Sequence, residues 1–173
     1  MKCKKCSSEW NTELEITKCP FCGEDLSENE TDKASYRIEY DNGDVYEGEL
    51  ENNLRHGRGK MTYAEGNEDE NEYYEGEWKD DKFSGHGKLF YENGEVYKGE
   101  FKDGKKHGNG KRTYSKDNLF KWEYYDGEFK DDKKNGKGII KWTDGDIYEG
   151  EWKDGKVISR EKFRGNLGDY LPF

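Results

Sequence analysis

The phrase YEGEWKDGK, residues 148–156, is written five times along this chain. It recurs as YEGEWKDDK (74–82), YKGEFKDGK (97–105) and YDGEFKDDK (125–133), with a looser copy, YEGELENN, from Tyr46. The leading tyrosines, Tyr46, Tyr74, Tyr97, Tyr125 and Tyr148, are spaced 28, 23, 28 and 23 residues apart. The unit is therefore 23 residues, and every other copy carries an insertion of five. A fixed period of this length restricts the fold to a repeat architecture, in which each unit buries its apolar side only against its neighbours.

Within one unit, YEGEWKDDKFSGHGKLFYENGEV (74–96), Tyr74, Gly76 and Trp78 alternate with Glu75 and Glu77, which is the period of a β-strand. KDDK reads as a turn. GHGKLFY alternates again, with Gly85, Gly87, Leu89 and Tyr91 on one side, and ENG is a second turn. Each unit is thus a β-hairpin, and the expected fold is all-β: an elongated, curved, single-layer antiparallel meander. With 29% apolar and 40% charged residues, the chain cannot fill a two-layer core. Its 15% aromatic content and 22 regularly placed glycines oppose disorder.

A glycine between aromatics leaves a flat seat for a neighbouring ring. The aromatic side is expected to roll inward as a concave partner-binding groove, formed by Tyr74, Trp78, Tyr97, Phe101, Tyr125, Phe129, Trp142, Tyr148 and Trp152. The other face carries Glu49, Glu77, Glu100, Glu128 and Glu151 on first strands and Lys60, Lys88 and Lys111 on second strands. These are expected to pair as a solvated cross-strand ladder rather than to act as catalytic carboxylates.

All four cysteines lie at the N-terminus: Cys3 and Cys6 in CKKC, Cys19 and Cys22 in CPFCG. Two C-x-x-C turns can close a tetrahedral four-thiolate site, so one structural Zn²⁺ per chain is expected. Disulfides and a redox C-x-x-C are the alternatives. MKCKKCSSEW has no apolar signal-peptide core, which disfavours disulfides, and no βαβ context accompanies the pairs. The segment resembles the short CxxC…CPxCG zinc ribbons at the N-termini of many bacterial proteins. The expected organisation is a zinc ribbon over 1–26, an acidic linker over 27–35, repeats over 36–156 and a C-terminal cap or tail over 157–173.

The repeat phrase with its downstream HGxG, as in His56-Gly57-Arg58-Gly59 and His107-Gly108-Asn109-Gly110, resembles the MORN repeat (membrane occupation and recognition nexus). The resemblance implies a curved scaffold sheet that binds other proteins. Some members of the family are linked to phospholipid membranes, so recruitment to a membrane surface is the alternative reading. The last copy departs from the pattern. It lacks HGxG and continues into VISREKFRGNLGDYLPF, which is expected to add an irregular strand and cover the aromatic face near Trp142 and Trp152, or to dock into a neighbour and form a dimer.

Chemistry elsewhere is sparse. His56 and His107 share a repeat position with Ser84 and Asn135, a turn-type residue set rather than a catalytic one. No Ser/His/Asp set, phosphate loop or EF-hand is present, so no enzyme activity is expected. A net charge of −10 opposes nucleic acid and anionic lipid as partners, and no run of 18 apolar residues spans a membrane. The expected molecule is a cytoplasmic, non-enzymatic adaptor for a protein partner. The two insertions leave from one edge of the meander. The first is acidic (Glu65, Glu68, Asp69, Glu70, Glu72). The second carries Leu119, Phe120 and Trp122, which are costly to expose unless they fold back or meet a partner. Protein purified without added metal should contain one zinc per chain by elemental analysis. Absence of metal together with a Cys3–Cys6 disulfide is the contrary outcome.

Overall fold

The chain divides into two units, Met1–Ala34 and Ser35–Phe173. The computed structural model describes residues 35–164, all within the second. The four cysteines, the acidic linker up to Ala34 and the tail from residue 165 lie outside the described residues.

Eleven strands follow one another: β1 (Tyr36–Glu39), β2 (Val45–Glu51), β3 (Leu54–Thr62), β4 (Asn71–Lys79), β5 (Lys82–Tyr91), β6 (Val96–Lys102), β7 (Lys105–Thr113), β8 (Trp122–Lys130), β9 (Lys133–Trp142), β10 (Ile147–Lys153) and β11 (Lys156–Arg164). They form one open sheet in sequence order, each strand antiparallel to the next. The described residues contain no helix. This is the all-β meander that the repeat period predicts. The hairpins close through two-residue tips in which both residues have positive φ, such as Asp80 (48°) and Asp81 (66°), or Asp103 (51°) and Gly104 (84°). That geometry matches the right-handed twist of the flanking strands.

The core is one interaction repeated. The glycines of neighbouring strands lie directly opposite one another, from Gly48↔Gly59 to Gly138↔Gly150, in an unbroken row from β2 to β10. The tyrosine of each repeat lies flat over one such pair. A Cβ on Gly110 would stand 2.3 Å from the Tyr97 hydroxyl and 2.6 Å from its ring, so only glycine leaves room. The hydroxyl then donates to the carbonyl of the residue three ahead: Tyr46 to Glu49 (2.7 Å), Tyr74 to Glu77 (2.8 Å), Tyr97 to Glu100 (3.0 Å) and Tyr125 to Glu128 (3.1 Å). The final copy, without HGxG, sends the Tyr148 hydroxyl across to Ser159 O at 2.9 Å.

The rings join edge to face in one chain, Tyr46–Trp78–Tyr74–Phe101–Tyr97–Phe129–Tyr125–Trp152–Tyr148, with centroids 5.0–5.5 Å apart. Each such contact contributes about 0.5–1.5 kcal/mol beyond the area it buries.

The charged face departs from the expected ladder. Glu49, Glu77, Glu100 and Glu128 do not stand opposite Lys60, Lys88 and Lys111. Each carboxylate instead holds the extra residues of a bulge in its own hairpin. Their Oε1 atoms accept the N–H groups of Arg58 (3.2 Å), His86 (2.8 Å), Asn109 (2.9 Å) and Lys137 (2.8 Å). The first glycine of HGxG makes this fit: Gly108 has φ +57°, and a Cβ there would lie 2.5 Å from the Glu100 carboxylate. The ladder uses other acids, Glu47 and Glu75 flanking Lys60, and Asp126 opposite Lys111 (3.8 Å). His56 and His107 stand inside β3 and β7 at the bulges, not in turns.

The first part of the C-terminal expectation is met. β11 pairs with β10 through two register irregularities. Gly110→Ala should lower the urea midpoint more than Tyr97→Phe does. The added methyl displaces the ring, costing about 1–3 kcal/mol or more. The lost hydroxyl leaves one carbonyl less well satisfied, costing about 1–2 kcal/mol. Unchanged m-values would confirm that stability alone has moved.

Candidate partner-binding surfaces

The aromatic residues expected to line an open groove are the chain's own core. Tyr74, Trp78, Tyr97, Phe101, Tyr125, Phe129, Trp142, Tyr148 and Trp152 are each 5% exposed or less. Rings lying flat and edge to face cover one another, so these side chains offer a partner little area. The groove that the structure shows lies on the opposite face. There a shallow groove of about 840 Å³ runs across β2 to β8, floored by the backbone of Gly48, Gly59, Gly76, Gly87, Gly99 and Gly110. Its walls carry both signs of charge, including Arg58, Lys60, Glu75, Glu77 and Asp126. At its centre Lys98 stands directly opposite Lys88 on one side and Lys111 on the other. Like charges in that position destabilise a sheet.

A second surface lies at the edge carrying the longer insertion loops, residues 63–70 and 114–121. Both loops are tied by an asparagine. Asn67 Nδ2 donates to Ala64 O (3.0 Å) and Asn71 O (2.7 Å), and Asn118 Nδ2 to Ser115 O (2.6 Å) and Trp122 O (2.8 Å). The three apolar residues of the second insertion part company. Trp122 packs half-buried against Tyr114 at 5.2 Å, whereas Leu119 is 91% and Phe120 54% exposed. Phe120 stacks on the outer side of Trp122 at 4.8 Å. These three line a cavity of about 510 Å³ with Glu95, Arg112 and Lys134.

Five stretches of the chain, residues 46–68, 74–96, 97–118, 125–147 and 148–156, match the model of the MORN repeat, together more than half of its length. The chain belongs to the MORN-repeat family. No curated protein matches it. Among solved structures it is similar to the TCP domain of SAS-4 (dCPAP) of Drosophila melanogaster, in complex with a proline-rich motif of Ana2 (dSTIL). That likeness has 18% identity and a TM-score of 0.31, covering 74% of this chain and 72% of that chain.

In this MORN sheet, burial perturbs the groups under the rings. The Tyr46 phenol is pushed up to about 12 by desolvation, and those of Tyr74, Tyr97 and Tyr125 are raised for the same reason. Lys106 is held down at about 8 and Lys134 at about 7, chiefly by burial and secondarily by the nearby Arg112 guanidinium. Two lysines on the aromatic side were not read from the sequence. The signal was present: Phe83, Lys106 and Lys134 hold one repeat position, and stepping the alternation back from Gly85 through Phe83 places that position beneath the rings.

Lys134 binds its proton less readily folded than unfolded. Its destabilising effect is therefore complete below about pH 7 and fades as pH rises from about 7 toward 10.5. The stability advantage of Lys134→Met over wild type should accordingly be largest at acidic pH and shrink across that window. Paired urea melts would show it, since the difference cancels the tyrosines.

Proposed function

We propose that this MORN sheet is a non-enzymatic scaffold that seats a segment of a protein partner in the glycine-floored groove of its charged face. The row Lys88–Lys98–Lys111 is the observation that carries this reading. Side chains of like charge, placed directly opposite in three successive strands, weaken the sheet by about 0.2–1 kcal/mol per pair. A bound acidic residue relieves that repulsion. The glycine floor lets a partner approach the sheet backbone, and the mixed charges of the walls set register and specificity more than affinity. The aromatic face supplies the rigid platform, its rings committed to one another. A structural zinc held by Cys3, Cys6, Cys19 and Cys22 completes the reading, on the strength of their spacing alone.

No helix among the described residues is long and apolar enough to cross a bilayer. The lysines of the hairpin tips, Lys79, Lys82, Lys130 and Lys133, flank pairs of aspartates, which weakens a purely electrostatic attraction to lipid.

A photo-crosslinker at Lys60, on the groove wall, should capture a partner that the double variant Lys88→Glu/Lys98→Glu with the same crosslinker loses at unchanged melting temperature. Equal capture by wild type and double variant would exclude the groove. Flotation of wild type with anionic vesicles at physiological salt, lost in the same double variant, would move the assignment to a membrane surface.

A further inference from the structure

The alternating 28- and 23-residue spacings make a super-repeat of 51 residues, and its two copies differ in whether a tip carboxylate lies beside the base under the rings. The second residue of each returning strand lies beneath the rings, and the tip of the next hairpin docks beside it. Arg55 meets Asp81, whose Oδ1 accepts its N–H at 3.0 Å and its Nε–H at 2.9 Å. Lys106 meets Asp132, whose Oδ1 accepts its N–H at 3.0 Å. Phe83 is uncharged, stacks on Tyr74 at 3.8 Å, and meets Gly104, whose N–H reaches its carbonyl at 3.0 Å. Basic residues thus face an aspartate and the apolar residue faces a glycine.

Lys134 breaks this pairing. It stands 51 residues after Phe83 and meets Gly155, whose N–H reaches its carbonyl at 2.9 Å but which brings no carboxylate. The Lys134 ammonium lies 3.9 Å from the Trp122 ring centre, 4.9 Å from Tyr125 and 5.5 Å from Tyr114. Among the described residues no carboxylate is within ion-pair distance of it.

The cavity beside Lys134, about 510 Å³, has the size of a ligand site. Its other charges are already engaged or at the rim. Glu95 and Arg112 bond to each other, the Asp132 carboxylate holds the Lys106 N–H, and Lys133 is exposed. The Trp122 Nε1–H adds a second buried donor without an acceptor. At the mouth stand Leu119 and Phe120, the most and the third most exposed of the described large apolar side chains.

We infer that this cavity docks an acidic side chain of a partner protein, an Asp or Glu next to an apolar residue. The carboxylate seats on Lys134, and the apolar neighbour lies on Leu119 and Phe120. A cation in a cavity of aromatic walls has lost much of its hydration, and a carboxylate restores it with a charge-assisted hydrogen bond. The chain's net −10 does not prevent this, because charges beyond about 8 Å are largely screened at physiological salt. Burial holds the amine near neutrality, so binding takes up a proton and weakens above neutral pH. The site is on the other face from the lysine row and stands or falls separately from the groove.

The test uses the full chain and two blocked peptides, acetyl-Gly-Phe-Glu-Gly-Gly-amide and its Gln counterpart, titrated while the Trp122 indole N–H is followed by NMR. That resonance is assigned by its loss in Trp122→Phe. The Glu peptide should shift it with at least tenfold higher affinity than the Gln peptide. Gly155→Asp should reduce that affinity at least tenfold, by supplying the missing carboxylate from within. It should also fold, because aspartate already holds the same tip position at Asp81 (φ 66°) and Asp132 (φ 69°). Lys134→Met should abolish the preference for Glu. Equal titration by both peptides, or a wild-type response in Gly155→Asp, overturns the inference. So does self-association of the wild type that Gly155→Asp removes, which would make a second copy the occupant.

Discussion

A tyrosine ring lying across two facing glycines is the contact on which this molecule depends. A single-layer sheet has no second layer to bury its aromatics. The ring must therefore be buried by lying down, and it can lie down only where no Cβ intervenes. Each glycine pair supplies that space, and the phenol hydroxyl fixes the ring by donating to a backbone carbonyl three residues ahead. The next aromatic of the strand then stands on the ring's edge, and the edge-to-face chain continues from β2 to β10. Sheet, core and hydrogen bond are satisfied by one small set of residues, which is why the phrase can be repeated.

The other conserved-by-repetition elements lock neighbouring units together. A glutamate on the polar face grips the bulge of its own hairpin, so the returning strand keeps its register despite two extra residues. The hairpin tips bond backward onto the strand two earlier, Asp81 N–H to Arg55 O at 3.1 Å and Asp132 N–H to Lys106 O at 3.0 Å. All of these contacts are local along the sheet. Stability is then a sum over units and their interfaces, and weakening one repeat loosens mainly its neighbours.

Committing the aromatic side to packing leaves function to the remainder. The polar face carries a groove, floored by backbone and crossed by three adjacent lysines. The insertion edge carries exposed Leu119 and Phe120 over a cavity with an unmatched cation. Both features cost the folded chain something: cross-strand repulsion in the first, desolvation of an ammonium in the second. Neither is required by the repeat, since Phe83 and Glu75 occupy equivalent positions elsewhere in the chain without that cost.

The sequence by itself determined the period, the two strands per unit, the tips, the single sheet and the aromatic composition of its core. These depend on local alternation and on turn residues, which read directly: Tyr74, Gly76 and Trp78 share a face whatever the rest of the chain does. It did not determine which face carries a groove. Alternation says which residues share a face, but not how far their side chains fill it. Rings lie flat over Gly99 and Gly110 on the side of Tyr97 and Phe101, and the groove opens on the other side, among the charges. Nor did it determine which charges meet. The glycine register sets Lys111 opposite Lys98 and leaves Glu100 between His86 and His107, where its carboxylate takes the Asn109 N–H. The docking of each tip onto the strand two earlier decides that Lys106 has an aspartate beside it and Lys134 has only Gly155. These are contacts between residues 9 to 26 positions apart, made by register and tip docking, and only the assembled sheet fixes them.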